Sequence, residues 1–462
     1  MGKTKFSFEE AAQWTGGKWL SCPACALTGL CFDSRKVAPG DIFVALKTET
    51  ADGHNYVSKA LEAGASAAMV SADWAPGKSG DLPLLAVADP YQAMHALAAG
   101  YRRKVNPFIV GVTGSVGKST VKTWTAALLG EEFRTAATVA NFNNGIGLPV
   151  SLTAMAPDAE KGVFEVGMNH KGELAPLCRT LAPNAAIITA IGPVHIEFFN
   201  SVEEIANEKA ELLRVLPDDG FAVIDAASPW VALLSAATKA KKVTVSVKDG
   251  IPADYEAHGI DALTGTFTVS GHCVDAPKTI TTGIPGEHNV LNLLYAIAAA
   301  RSCGVPWEKI LRRAADLPTM KMRWECTVED GINWVNDAYN ANPIAMAASL
   351  RTFSSTVRGR RVYVLGEMRE LGADSRRFHD ETGALVAELG GDVFIGVGEA
   401  GDWMIAAARA GGFTGETIRV EDASAAGRAL ADVLRPGDNV LLKASHGVAL
   451  EKVQPAWRSA KQ

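Results

Sequence analysis

The sequence lacks the features that would place the protein in a membrane or on a nucleic acid. Its 462 residues contain no uninterrupted apolar run of about 18 residues, the minimum for a membrane-spanning helix. Glu9 and Glu10 fall where a signal peptide would need its apolar segment, so we expect a cytosolic protein. The 45 basic residues are outnumbered by 51 acidic residues, and the formal net charge is −6. Nucleic acid is therefore not the expected partner.

Cysteine is also scarce. Seven cysteines are scattered along the chain, an odd number that does not suggest a disulfide framework. Cys22 and Cys25 form the one C-x-x-C pair, and no second pair stands at a spacing typical of zinc sites. We therefore expect reduced thiols, with a metal or redox role for this pair as the less favoured alternative.

The chain length favours about three domains, and the sequence pattern divides the chain in the same way. Residues 1–105 alternate short apolar runs with helical segments, as a small α/β domain does. Residues 106–317 contain buried-strand candidates that predict a mostly parallel sheet, with antiparallel strands appended between 240 and 285 and an amphipathic helix after them. Residues 318–462 predict a third α/β domain of Rossmann-like strand order, without a G-x-G-x-x-G motif after its first strand.

The stretch VTGSVGKST, residues 112–120, joins an apolar strand to a helix and resembles a nucleotide-phosphate loop, although Val112 stands where the usual pattern has glycine. Glycines permit the tight turn that exposes backbone N–H groups to a phosphate, and the helix N-terminus favours its negative charge. Lys118 is expected to contact the β and γ phosphates, and Ser119 to bind Mg²⁺. A plain turn between strand and helix is the alternative, and the type of reaction stays open. The residues predicted to bind the nucleotide here are Thr113, Gly114, Ser115, Gly117, Lys118, Ser119 and Thr120.

Polar residues follow the next strands of the central unit. Asn143 and Asn144, in NFNNGIGLPVSL, could hold substrate or belong to a turn-rich connection. Glu165 and His195 each end a predicted strand, where α/β proteins bind ligands, and together they could hold a second cation. Each residue alone would more often be a satisfied loop residue than a ligand, and their shared position relative to the phosphate loop favours the ligand interpretation. The default interpretation of Lys209 is a solvated lysine on a charged helix face, and a reactive amine is the alternative.

Taken together, these segments resemble the Mur ligases, the ATP-dependent amide-forming enzymes of peptidoglycan synthesis. Their shortened TGxxGK[ST] loop matches Thr113 to Ser119, which accounts for the missing glycine. The similarity is greatest to the family member that joins D-alanyl-D-alanine to UDP-N-acetylmuramoyl-tripeptide. The resembling stretches span all three units and are DSRKVAPGDIFVALKTETADGHNYV, NFNNGIGLPVSL, EVGMNHKGEL, GPVHIEFFNSVEEIANEKAE, GEHNVLNLLYAIAAA, NDAYNANPIAMAASL and LGEMRELGADSRRFH.

The resemblance implies a three-domain α/β architecture with a central P-loop ATPase domain and a Rossmann-like C-terminal domain that receives the dipeptide near LGEMRELG and FHD. It implies that the first domain holds the UDP-sugar near the Asp52-Gly53-His54 loop and a DSR segment. The alternative is that these stretches are ordinary turns with a surface arginine. The DSR residues are Asp33, Ser34 and Arg35. It also implies a magnesium site made by Ser119, Glu165, His195 and Lys209, the last carrying CO₂ as a carbamate.

For the rest of the nucleotide, the resemblance places His288 and Asn289 against adenine, Arg323 near the γ phosphate and Asp337 near the ribose. Alternatively, Asn289 caps a helix and Arg323 pairs with Glu325 on the surface. The remaining site residues implied by NDAYNANP are Tyr339, Asn340 and Asn342, where ATP and substrate meet. The residues implied to be catalytic are Lys118, Lys209, His195 and Arg323.

The expected reaction is ATP-dependent amide formation through an acyl phosphate, by a monomer that uses ATP and Mg²⁺. Another Mur-type ligase or a folylpolyglutamate-type ligase is the alternative, although the third domain has no DNPR-type motif, and a regulatory P-loop NTPase is the alternative from another class. One departure concerns the late strand, where the family pattern resembles Lys-Gly-Ser-Arg and this chain has His446 in place of the arginine. A titratable side chain there replaces a fixed cation and affects the expected dipeptide contacts.

Overall fold

The computed structural model describes residues 5–23, 26–75 and 82–461, and Cys25 of the C-x-x-C pair lies outside them. Three β-sheets with helices on their faces make up the described chain. The predicted α/β fold class is therefore confirmed. The strands of each sheet fall within one of the predicted ranges 1–105, 106–317 and 318–462, and the boundaries themselves stay predictions.

The first sheet has five strands in the order β1-β5-β4-β3-β2, and only β1 runs antiparallel to its neighbour. Helix α3 follows it, with Pro90 at its first position, and Asp89 accepts hydrogen bonds from the helix N-terminus. The elements are α1 Phe8–Thr15, β1 Lys18–Trp19, β2 Gly29–Cys31, β3 Asp41–Val44, α2 Val57–Glu62, β4 Ala67–Ser71, β5 Leu84–Val87 and α3 Pro90–Val105.

Helix α3 also packs against the central unit, so one hydrophobic core runs through the first two units. Tyr101 is fully buried and its hydroxyl donates to the Met155 carbonyl oxygen over 2.8 Å. The buried Arg102 guanidinium donates to the carbonyl oxygens of Leu181 and Ala182. The first unit is thus less separate than its sequence pattern indicates, because its last helix buries polar groups against the central unit.

The central sheet has nine strands in the order β14-β13-β12-β11-β10-β9-β6-β8-β7. Its strands and helices are β6 Phe108–Thr113, α4 Lys118–Leu129, β7 Thr135–Ala137, α5 Gly147–Ala154, β8 Lys161–Glu165, α6 Leu174–Leu181, β9 Ala185–Ile188, α7 Val202–Lys209, α8 Glu211–Arg214, β10 Phe221–Asp225, α9 Val231–Ala236, β11 Lys241–Ser246, β12 Tyr255–Asp261, β13 Thr266–Ser270, β14 Lys278–Thr281, α10 Glu287–Ser302 and α11 Trp307–Ala314. The appended antiparallel strands are confirmed for β12 to β14. The prediction was wrong for β11, which pairs in parallel with β10 and β12 and so continues the parallel sheet.

Helix α10 is not amphipathic as predicted. Every residue from Leu293 to Ala300 is 1% exposed or less. The helix lies between α4 and strands β10 to β12 and is therefore covered on several sides. A helix that is buried all round loses the polar face on which an amphipathic pattern depends.

The third sheet has six strands in the order β15-β16-β20-β17-β18-β19, parallel except for β15. Its elements are β15 Glu325–Glu329, β16 Ile332–Asn336, α12 Pro343–Thr356, β17 Arg361–Leu365, α13 Ser375–Leu389, β18 Val393–Val397, α14 Gly398–Ala410, β19 Glu416–Val420, α15 Ala423–Val433, β20 Asn439–Lys443 and α16 Val453–Ala460. The parallel α/β sheet agrees with the prediction, and its last strand, β20, lies between β16 and β17. The antiparallel strand β15 was not predicted, because most of its side chains are exposed and it carries no buried-strand pattern.

Candidate active site

A cleft of about 1470 Å³ lies where the carboxyl edge of the central sheet faces the third sheet. Most of the predicted nucleotide and metal residues line it, together with residues of α3. The predicted residues that line the cleft are Ser115, Gly117, Lys118, Ser119, Thr120, Asn143, Asn144, Glu165, His195, His288, Asn289, Arg323, Asp337, Tyr339, Asn340 and Asn342. Those that do not line it are Thr113, Gly114, Lys209, Asp33, Ser34 and Arg35.

The loop between β6 and α4 has no room for side chains at its glycines. Gly114 has φ +153°, and a Cβ there would lie 1.8 Å from the Thr189 hydroxyl. Gly117 has φ +87°, and a Cβ there would lie 2.5 Å from the Asn292 amide oxygen. Ser115 donates its hydroxyl to the Gly192 carbonyl oxygen, which fastens the loop to the segment after β9. The loop therefore needs glycine at both positions, and the Ser115 hydroxyl is occupied within the protein.

The first residues of α4 connect three charged groups. Ser119 donates its hydroxyl to the Glu165 carboxylate over 2.8 Å and accepts from the Arg323 guanidinium over 3.1 Å. Lys118 donates to the Gly114 carbonyl oxygen, and burial lowers its pKa. Arg323 comes from the segment that precedes the third sheet, so residues of two units meet at one hydroxyl.

Tyr339 supports Arg323. The guanidinium carbon lies 4.1 Å from the centre of the Tyr339 ring, a cation–π distance. The surface ion pair between Arg323 and Glu325 that was considered from the sequence does not form, because Glu325 accepts from the Met322 backbone instead. Arg323 is therefore held with its charge towards the phosphate loop.

Glu165 is the buried acid of the site, with only 1% of its surface exposed. Its other carboxylate oxygen accepts from the Asn143 amide over 2.7 Å. Across residues 5–23, 26–75 and 82–461, no cation lies within ion-pair distance of it, and no cluster of three or more His, Cys, Asp or Glu residues forms a ready metal site. A buried carboxylate with only neutral partners retains the capacity to bind a cation.

Lys209 is not the solvated lysine of the default interpretation. It ends α7 and is 2% exposed. Burial lowers its pKa well below the ordinary value, and the neighbouring Lys118 charge lowers it further. The structure thus places a buried amine next to the loop, in surroundings that disfavour its charged form.

His195 lies after β9 and contacts the Glu370 carboxylate of the third unit through Nδ1. Burial lowers the pKa of His195, although Glu370 acts in the opposite direction. Glu370 was not predicted as a site residue. No local pattern distinguishes it from the other charged residues of LGEMRELG.

Lys443 begins the late-strand segment that resembles the family's Lys-Gly-Ser-Arg, and no site role was predicted for it from the sequence. It is 2% exposed, lines the cleft and donates to the Asp337 carboxylate over 2.6 Å. Asp337 also accepts from the Ser349 hydroxyl at 2.5 Å. His288 lies nearby, and burial lowers its pKa. Asp337 is therefore oriented by a buried ion pair.

Several asparagines have structural roles at the cleft. Asn289 lies inside α10, and its amide donates to the Pro285 carbonyl oxygen, so the helix-capping alternative was wrong. Asn144 accepts from the Gly147 backbone at the start of α5, while Asn143 contacts Glu165. Asn342 caps α12. The Asn143 and Asn144 segment thus combines a turn with a contact to the acid.

The first unit has a separate cavity of about 630 Å³ beside the predicted UDP-sugar loop. Asp52 accepts from the His54 backbone and ring, and His54 Nε2 accepts from the Ser71 backbone over 3.0 Å. Asp33 and Arg35 pair with each other at the surface and line neither cavity. His446 is exposed, lines neither cavity, and contacts Tyr339 edge to face.

A phosphate loop on a parallel sheet, facing a cleft shared with a Rossmann-like sheet, defines a P-loop nucleotide-binding enzyme. Family models agree in order along the chain: "Mur ligase family, catalytic domain" matches residues 26–102, "Mur ligase middle domain" residues 112–300, and "Mur ligase, glutamate ligase domain" residues 322–446. The chain belongs to the Mur ligase family.

Several similar proteins are D-alanyl-D-alanine ligases. The UDP-N-acetylmuramoyl-tripeptide–D-alanyl-D-alanine ligase of Bacillus subtilis is 34% identical over 429 residues, covering 92% of both chains. The Escherichia coli protein of the same name is 32% identical, covering 79% of this chain and 80% of its own. A MurF crystal structure from Acinetobacter baumannii superposes with a TM-score of 0.87 at 27% identity, covering 97% of this chain and 98% of its own. MurF from Thermotoga maritima, solved with ADP, gives 0.80 at 25% identity and covers 96% and 98%.

Among the helices that the structure describes, none has both the length and the apolar composition needed to span a membrane.

Proposed function

We propose that this chain joins D-alanyl-D-alanine to UDP-N-acetylmuramoyl-tripeptide and converts ATP to ADP and phosphate. The observation that carries the proposal is the meeting of Lys118, Ser119, Glu165 and Arg323 in one cleft between two units. The near full-length similarity to D-alanyl-D-alanine ligases supports the choice of substrates.

A carboxylate must be activated before it can form an amide in water. The terminal carboxylate of the tripeptide attacks the γ phosphorus of ATP, the bond to the β-phosphate oxygen breaks, and ADP leaves. The neutral amine of the dipeptide then attacks the acyl-phosphate carbonyl, loses its proton, and phosphate departs from the tetrahedral intermediate. Lys118 and Arg323 stabilise the charge that develops on the transferred phosphoryl group, since both are already held at the loop.

The residues at the loop fit a magnesium ion. Ser119 and Glu165 offer the hydroxyl and carboxylate oxygens that Mg²⁺ prefers, and Glu165 has no cationic partner among the described residues. When bound, Mg²⁺ neutralises phosphate charge. We assign Ser119 and Glu165 to this ion, with His195 and carbamylated Lys209 holding a second.

Carbamylation of Lys209 agrees with its surroundings. Only a neutral amine attacks CO₂, and burial keeps the pKa of Lys209 low. The amine nitrogen forms a bond to the CO₂ carbon and loses a proton, which turns a neutral amine into an anionic oxygen donor. The carbamate is attracted to the neighbouring Lys118 charge and supplies a ligand that suits magnesium.

The remaining residues position substrates. We assign His288 and Asn289 to adenine, Asp337 to the ribose, and Tyr339, Asn340 and Asn342 to the junction of ATP and substrate. We assign the UDP-sugar to the first unit, near Asp52 to His54 and the Asp33 to Arg35 segment, with Asn143 and Asn144 near the tripeptide. The dipeptide enters from the third unit. We further propose a cytoplasmic monomer.

The test is phosphate release from ATP by purified protein with UDP-muramoyl-tripeptide alone, with D-alanyl-D-alanine alone, and with both. Release that requires both, together with a product heavier by the dipeptide, supports the proposal. Full release without either substrate, or with a single amino acid in place of the dipeptide, contradicts it. Light scattering during size-exclusion chromatography gives the oligomeric state.

A further inference from the structure

We propose that Glu370 is a positioning residue that orients His195 from across the cleft and so ties the reaction to the docked state of the third unit. The inference rests on the proposed function, in which His195 belongs to the reaction centre. Glu370 itself lies in the loop between β17 and α13, outside the phosphate loop and the nucleotide-binding residues described above.

Two units are joined at this point by more than one contact. The imidazole Nδ1 of His195 and a carboxylate oxygen of Glu370 are in direct contact. The Glu197 backbone N–H donates to the Glu370 carbonyl oxygen over 3.2 Å. A Cβ at Gly372 would lie 3.2 Å from the Glu197 Cα, so the two loops are also closely packed. The side-chain contact, the backbone hydrogen bond and the close packing thus all hold the loop at His195 against the loop at Glu370.

Both residues adopt an unusual backbone conformation. His195 has φ +57° and Glu370 has φ +61°, in the left-handed region that residues with a Cβ rarely occupy. Such conformations persist where the surrounding structure determines them, and they are concentrated at functional sites. Each loop therefore presents its side chain to the other through a constrained backbone.

The contact determines what His195 offers to the cleft. When Nδ1–H donates to a carboxylate, the ring orientation and the tautomer are set, and Nε2 is left as the acceptor. His195 lines the cleft, while Glu370 is 38% exposed by side chain and does not line it. Glu370 therefore acts through His195 and not on the substrate directly.

The partner of His195 comes from the unit expected to carry the dipeptide. If the third unit moves away, His195 loses its orienting carboxylate. Activation of the carboxylate then becomes inefficient until the third unit is in place, which limits wasteful loss of an acyl phosphate that water can hydrolyse.

The test compares Glu370→Ala and Glu370→Gln with the parent protein. Glu381→Ala is the matched control, because it removes the same charge from the third unit at an exposed position on α13. We expect Glu370→Ala to lower kcat about 10- to 100-fold, the range for partners that orient a metal-binding histidine, with little change in Tm. Glu370→Gln keeps an acceptor oxygen and should recover most of kcat.

A second readout does not depend on turnover. Small-angle X-ray scattering of the nucleotide-free proteins should give a larger radius of gyration for Glu370→Ala than for the parent or for Glu381→Ala. In addition, Glu370→Ala should have no further effect on residual turnover in a His195→Ala background, because its action passes through that ring.

Three results for Glu370→Ala would overturn the inference. The first is a lower Tm with unchanged kcat, which would indicate a packing role alone. The others are an equal loss of kcat in the presence and absence of His195, and an unchanged radius of gyration. If the parent protein forms no product from the two substrates, the proposed function fails. The scattering comparison still decides whether Glu370 holds the two units together.

Discussion

Gly114→Ala tests whether the phosphate loop is shaped by one close contact. The new Cβ would lie 1.8 Å from the Thr189 hydroxyl oxygen, far inside van der Waals contact, and the backbone there has φ +153°. The hydroxyl cannot move away without loss, because it donates to the Val116 carbonyl oxygen over 2.6 Å. The substitution must therefore displace either the loop or the end of β9.

The expected cost has two parts. Overpacking at a tight contact costs about 1–3 kcal/mol. A strained backbone conformation for a residue with a Cβ adds about 1–3 kcal/mol. We expect the free energy of unfolding to fall by about 2–6 kcal/mol, the sum of the two parts, and ATP affinity to fall at least about tenfold, which corresponds to about 1.4 kcal/mol.

Gly412→Ala separates the two parts. Gly412 has φ +88° and nothing within 4 Å of the position of a Cβ, so this variant carries only a backbone cost of about 1–2 kcal/mol. The assays are urea unfolding for stability and calorimetry for ATP binding. Equal destabilisation by the two glycine substitutions would refute the contact as the cause.

The double variant Gly114→Ala with Thr189→Ala removes the hydroxyl that the Cβ meets. Thr189→Ala alone should cost about 0.5–1.5 kcal/mol for its lost hydrogen bond. In its background, Gly114→Ala should cost about 1–3 kcal/mol less than in the parent, because neighbouring substitutions are not additive. Strict additivity of the two variants would contradict the reasoning.

Three other predictions concern charged groups. Arg323→Lys should lower kcat about 10- to 100-fold, because an amine cannot stack on Tyr339 and donate to Ser119 as a guanidinium does. An unchanged kcat in steady-state assays would contradict this role of Arg323. In CO₂-free buffer the free energy of unfolding of the parent should rise with pH towards 10.5, by up to about 1.4 kcal/mol per pH unit. The reason is that folding lowers the pKa of Lys209, so that unfolding takes up a proton. Urea titrations of Lys209→Met should show a weaker dependence of stability on pH, and this variant should show no turnover. Glu165→Gln should raise the Mg²⁺ concentration for half-maximal activity, and an unchanged Mg²⁺ dependence would remove Glu165 from the metal site.

The sequence predicts those parts of the site that follow from local pattern and sheet geometry. The phosphate loop has a local signature, and Glu165 ends a parallel strand next to β6, so both reach the same edge of the sheet. Neither rule extends to contacts between units. Glu370 lies 175 residues from His195, and Lys443 lies 106 residues from Asp337, so no spacing in the sequence connects them.

Burial is the other property that the sequence pattern did not reveal. Lys209 lies in a segment of alternating charges that is typical of a solvated helix face. It is nevertheless 2% exposed, because α7 packs against α6 and α9 and the Lys209 amine lies near Lys118 and Glu165. Helix α10 shows the same error, since its polar residues Asn289 and Asn292 are buried at the cleft instead of forming a solvated face. In both cases the neighbouring elements determine which side of a helix meets water.

The charges of the cleft show why the nucleotide completes this fold. Lys118, Lys209 and Arg323 lie around one buried acid, Glu165. Burial is the main cause of the lowered pKa values of the two lysines, and repulsion adds to it, from Arg323 for Lys118 and from Lys118 for Lys209. An excess of buried positive charge is costly without an anion. A triphosphate supplies several negative charges at this point, so nucleotide binding should offset the repulsion among these cations.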